Sequence, residues 1–258
     1  MKSIQTNTND PNRKEPKKRC IPLGCSLAAI ALYCISASWA KGHYPMQSPV
    51  MTAVLLADAA IITSLLVFKK WISEAGLKTP KSSKPGFFSL SILSLLLIAL
   101  PNLVFVFVAP ARLSEEYGSG LISAIISMIL VGYLEEVIFR GMLFNSIEKD
   151  SLKKAVIITS LTFGIGHLSN LFTGQNLPDT LLQIAYAVCV GYAFVVARIA
   201  SGSIWMCIIV HALIDVLSLF ISPEIGSAAM IAGSVFIMAA ALFSAWLIRK
   251  VNPDHRYF

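Results

Sequence analysis

The chain has 258 residues, of which 56% are hydrophobic and only 14% charged, with a formal net charge of +7. A soluble domain carries about 25% charged residues, so this composition excludes a protein that faces water on all sides. A β-barrel is excluded as well, because its strands read as ~10-residue alternating segments and the sequence has none.

In chain order, residues 1–19 are polar, basic and proline-containing, the composition of a disordered tail. Apolar runs follow at 21–40, 50–68, 87–109, 120–147, 153–169, 180–200, 203–221 and 226–248. Each approaches or exceeds the ~20 residues that a bilayer span requires. Backbone in lipid must satisfy its own hydrogen bonds, so the expected fold is all-α: a polytopic membrane protein of about eight transmembrane helices. The first run follows a basic tail and ends "SASWA", which resembles a secretory signal; its span length favours an uncleaved helix. The loop "KTPKSSKPG", 78–86, divides a two-helix front from a six-helix rear, and "SNLFTGQNLPD", 169–179, is a polar loop with helix breakers. Residues 20–250 are expected to form one membrane domain, and 251–258 a short tail. The five cysteines, Cys20, Cys25, Cys34, Cys189 and Cys207, show no C-x-x-C pairing and read as small apolar residues.

The basic residues are sorted by side. Eighteen of the 21 lysines and arginines fall in the two tails and in or beside the loops after the second, fourth and sixth runs. The intervening loops hold only Lys41 and Arg112, and Arg140 lies within a run. This follows the positive-inside rule for eight spans with both termini cytoplasmic. The expected location is therefore the cell membrane, multi-pass, with lipids as neighbours. Nucleic acid is not an expected partner, because the positive charge is spread over many loops.

Ionisable groups inside spans are costly and mark functional sites by default. Here they are Asp58 in the second run, Glu135, Glu136 and Arg140 in the fourth, His167 in the fifth, and His211 and Asp215 in the seventh. Glu136 and Arg140 stand at i,i+4 and can pair. Glu135 is turned ~100° away on a helix of 3.6 residues per turn. It is left without a partner on its own helix, a setting that suits a general base or acid. The alternative is an ion-pair cluster that braces helices. His167 follows Phe163 by one turn in "FGIGHLSN", where Gly164 and Gly166 thin the helix; it is either a catalytic group or a hydrogen-bonded core histidine. His211 and Asp215, again i,i+4, form either a polarised pair or a local hydrogen bond. At ~1.5 Å rise per residue, Glu135, His167, His211 and Asp215 lie ~12–21 Å from one end of their helices. All four fall toward the middle of a ~30 Å core.

These segments resemble the CPBP family, the CAAX proteases and bacteriocin-processing enzymes also called the Abi family. Its three motifs, EExxxR, FxxxH and HxxxN/D, read here as Glu135-Glu136-x-x-x-Arg140, Phe163-x-x-x-His167 and His211-x-x-x-Asp215. The resemblance covers residues ~120–221, and the Asp at 215 replaces the Asn of the eukaryotic prenyl-protein proteases.

The resemblance implies an intramembrane endopeptidase acting on a peptide or membrane-protein substrate, with its active site inside the helical bundle. It implies a water activated by Glu135 and His167, an oxyanion met by His211 and Asp215, and support from Glu136, Arg140 and Phe163. It also implies a cleft that opens toward the cytoplasm or the membrane. No cofactor is expected; were zinc present, Glu135, His167 and His211 would be its ligands. Two other classes fit the same polar cluster: a non-catalytic immunity or membrane-scaffold protein, and a carrier that uses buried carboxylates.

Overall fold

The computed structural model describes residues 20–80 and 86–251. The expected disordered tail, 1–19, and the tail residues 252–258 lie outside them. The architecture is all-α, and among the described residues the only β pairing is a single bridge, Pro110 to Ile221. Among the described residues, seven helices are long and apolar enough to cross a membrane: α1 (Leu23–His43), α2 (Pro49–Phe68), α3 (Phe87–Val108), α4 (Gly118–Glu148), α5 (Leu152–Phe172), α6 (Leu177–Ser201) and α8 (Ser227–Val251). The remaining expected span is a shorter helix, α7 (Trp205–Ser218).

Local chemistry sets the helix ends. Ser48 caps α2 by accepting the Val50 N–H at 3.2 Å, with Pro49 in the first turn. Asn176 caps α6 by accepting the Asp179 N–H at 2.9 Å. Gly202, at φ 68°, closes α6 in the left-handed conformation.

At 14 residues, α7 is only ~21 Å long, short of a ~30 Å hydrocarbon core. Hydrogen bonds tie its non-helical flanks to neighbouring segments. Before it, Ser203 Oγ donates to Lys78 O; after it, Ser222 N–H donates to Ala109 O. Met206, Cys207, Val210 and His211 on α7 are buried, so neighbouring helices, not lipid, surround much of it.

Lipid gives no hydrophobic drive for helices to associate, so small residues and interhelical hydrogen bonds do that work. The buried face of α1 carries Ala29, Tyr33, Ala37 and Ala40. The buried face of α8 carries Gly233, Ser234, Ala240, Ala241, Ser244 and Ala245. Ser244 Oγ donates to Ser94 O at 2.6 Å, Thr52 pairs with Ser127 at 2.8 Å, and Thr63 pairs with Tyr133 at 2.7 Å. Large side chains such as Ile35, Phe107, Ile122 and Phe172 point outward, as a lipid-facing surface requires.

In α4 the ladder changes. Leu121–Glu135 is α-helical, and Glu136–Leu143 is a π-helix, closed by the Phe144 N–H donating to Phe139 O. π segments are rare and recur at functional sites. All eight residues of this one are buried, Glu136 and Arg140 among them.

Candidate active site

Three close approaches build the site. At Gly132 on α4, an added Cβ would lie 2.9 Å from Ala212 N and 3.1 Å from Ala212 Cα. Only glycine lets the α4 and α7 backbones meet there, which sets Glu135 and Glu136 beside His211. At Gly164 on α5, an added Cβ would lie 2.9 Å from Ile184 O of α6. Of the two glycines expected to thin α5, Gly164 admits a helix backbone. Gly166 meets nothing within 4 Å and instead lines a cavity. The third approach is α1 against α4, where Tyr33 Oη donates to Glu135 Oε1 at 2.8 Å.

Glu136 is the centre of the buried network. Its Oε1 accepts from Arg140 Nη1 at 2.8 Å and stands 2.8 Å from His211 Nδ1. The Glu136 and Arg140 side chains are fully buried. A carboxylate held by arginine can only accept, so His211 Nδ1 carries a proton and donates it. His211 Nε2 is then turned toward Glu135 Oε2, at 3.8 Å, and Asp215 Oδ2, at 3.5 Å. The i,i+4 spacing suggested that Asp215 was the partner of His211; the fixed partner is Glu136, 75 residues away. Asp215 Oδ2 makes no hydrogen bond within the protein.

His167 is settled in the same way. Its Nδ1 lies 3.1 Å from Phe163 O, and a carbonyl only accepts. Nδ1 is therefore the donor, and Nε2 carries the lone pair. Phe163 fills the space between these groups. Its ring lies edge-on to His167 at 5.5 Å and to His211 at 5.7 Å, while the Arg140 guanidinium sits over it at 3.8 Å. Such a cation–π contact partly offsets the burial of arginine. Arg140 needs it, since its Nε and Nη2 have no hydrogen-bond partner.

Glu135, Phe163, His167, His211 and Asp215 share one cavity of about 290 Å³. Glu136 and Arg140 lie behind its wall. Asp58 is not in it: it is buried on α2 and accepts from Ser36. The sequence reading missed Tyr33, and its lining partners Cys34, Lys41, Asn102, Gln183 and Tyr186.

The cavity runs toward Lys41, Asn170 and Ser218, at the ends of α1, α5 and α7. The described ends of the chain lie on the opposite face, where Ile21 N–H donates to Asn145 Oδ1 at 2.9 Å. Of the two openings that the resemblance implies, toward the cytoplasm or toward the membrane, the cytoplasmic one is therefore incompatible with cytoplasmic termini in this structure.

Among the described residues, no group of three or more His, Cys, Asp or Glu side chains is arranged to hold a metal ion.

No curated protein matches the chain, and no solved structure does. Residues 117–217 match the family described as Rce1-like, the type II CAAX prenyl endopeptidase Rce1-like proteins. That segment holds all three motifs, so the resemblance to the CAAX proteases of the CPBP family is borne out over those residues.

Proposed function

We propose that the protein is an intramembrane endopeptidase that hydrolyses a peptide bond with a water activated by Glu135 and His167. The observation that carries this reading is the pair of unengaged acceptors facing one cavity. Glu135 is held by Tyr33 through Oε1, which leaves Oε2 open. His167 is held through Nδ1, which leaves the Nε2 lone pair open. A carboxylate and an imidazole in that state can orient a water and take its proton.

As the proton leaves for Glu135, the water oxygen bonds to the peptide carbonyl carbon. The carbonyl oxygen becomes an oxyanion and is met by His211 Nε2–H, which donates when the ring holds both protons. Glu136 fixes the orientation of that ring, Arg140 fixes Glu136, and Asp215 stands across Nε2 to support the protonated imidazole. The C–N bond then breaks. Glu135 returns the proton to the departing nitrogen, so the products are an amine and a carboxylic acid, which releases its own proton to water to become a carboxylate. The cavity volume is at the lower end for ligand sites, sufficient for the residues that flank one peptide bond.

In this reading the protein works in the cell membrane with both termini cytoplasmic, a placement that the charge bias supports. The test is a comparison of newly formed peptide termini in membranes from wild type and from Glu135→Gln. Termini that vanish in the variant identify an endopeptidase. An unchanged set of termini, with any cellular phenotype retained by the variant, identifies a scaffold instead.

A further inference from the structure

The cavity has one open end and one closed end. Its closed end is sealed by the buried side chains of Phe139 and Phe163, with the fully buried Glu136–Arg140 pair behind them. Its open end is polar and increasingly exposed, from His211 through Asp215 to Ser218 on α7 and from Tyr33 to Lys41 on α1. Eight residues of helix separate Tyr33 from Lys41, which places Glu135 ~12 Å below the mouth. A second cavity, on the terminus face, is lined by Ser73, Glu74 and Arg198 among others, and the two cavities share no residue. The exposed part of the lining lies on the mouth side, so that is the side from which water and peptide reach Glu135.

The charge distribution says which side that is. Among the described residues, the face bearing the termini carries Lys69, Lys70, Lys78, Lys149, Lys153, Lys154, Arg198, Arg249 and Lys250, and the mouth face carries Lys41 and Arg112. The basic side is retained in the cytoplasm.

We propose that substrates enter from the non-cytoplasmic side. The substrate class is then a peptide segment displayed there, either an exported peptide or the outer part of another membrane protein, and not a cytosolic protein with a lipidated C-terminus. This rests on the peptidase reading for the word substrate, but the direction of access is measured without cleavage.

The native Cys34 lines the cavity and serves as the probe. Cys20, Cys25, Cys189 and Cys207 are replaced by serine. A membrane-impermeant sulfonated methanethiosulfonate is applied to right-side-out and to inverted vesicles, and the thiols left unblocked are counted with a maleimide after denaturation. Ser38→Cys, one turn nearer the mouth, repeats the measurement at a more accessible position. Ser73→Cys on the terminus face is the control for the opposite side. The expected result is loss of maleimide labelling at Cys34 or Ser38→Cys from the outer side only, and at Ser73→Cys from the inner side only. The converse pattern overturns the proposal. So does blocking of the cavity cysteines from the inner side, or from neither side.

Discussion

The hydroxyl of Tyr33, on the first helix, donates to Glu135 Oε1, on the fourth, at 2.8 Å. This bond orients the carboxylate and leaves its second oxygen toward His211. A hydrogen bond to a charged group contributes about 1.5–3 kcal/mol. Tyr33→Phe keeps the ring packing and removes only that bond. Peptide turnover should fall roughly 10- to 100-fold, with little change in melting temperature. Full activity in Tyr33→Phe, measured with a fluorogenic peptide, would assign Tyr33 to packing alone.

Glu136 and Arg140 form a buried pair, and removing one member of such a pair costs about 3–5 kcal/mol. Glu136→Gln and Arg140→Gln should each lower folded abundance and melting temperature. The double variant should recover abundance but not activity, because His211 has lost the carboxylate that holds Nδ1. The check is thermal shift alongside single-turnover cleavage for the three variants.

Much of this site is legible in the sequence because charge is rare in an apolar run. Glu135, Glu136, Arg140, His167, His211 and Asp215 stand out against lipid-facing leucine and isoleucine, and i,i+4 spacing pairs Glu136 with Arg140 as the structure does. Helix count and approximate ends follow from hydrophobic length in the same way. Tyr33 could not be found so, since a tyrosine in an apolar helix is ordinary and its partner lies 102 residues away. The Glu136–His211 bond is hidden for the same reason, and the nearer Asp215 drew attention from it. The π turn also has no local signature. It changes which residues face inward after Glu135, a property of the folded ladder and not of apolar spacing.

Gly132 tests the assembly from the backbone side. Gly132→Ala places a methyl group against Ala212 backbone atoms that have no rotamer to escape by. Overpacking of this kind costs about 1–3 kcal/mol, and separating α4 from α7 also pulls Glu136 from His211. Both melting temperature and turnover should drop. Gly166→Ala, with open space beside it, should leave the melting temperature near wild type.

Activity should survive dialysis against a strong chelator, because the proposed water is activated by Glu135 and His167. Loss of turnover with phenanthroline, restored by added zinc, would give Glu135, His167 and His211 the role of ligands in a rearranged site.

The most direct measurement is single-turnover peptide hydrolysis by purified wild type and Glu135→Gln in lipid nanodiscs, with melting curves taken on the same samples. The substitution is nearly isosteric and leaves the Glu136–Arg140 pair intact. General-base catalysis contributes about 10²- to 10⁴-fold, so cleavage should fall by that order while the melting temperature stays close to wild type. Cleavage that persists in a stably folded Glu135→Gln protein would contradict the account.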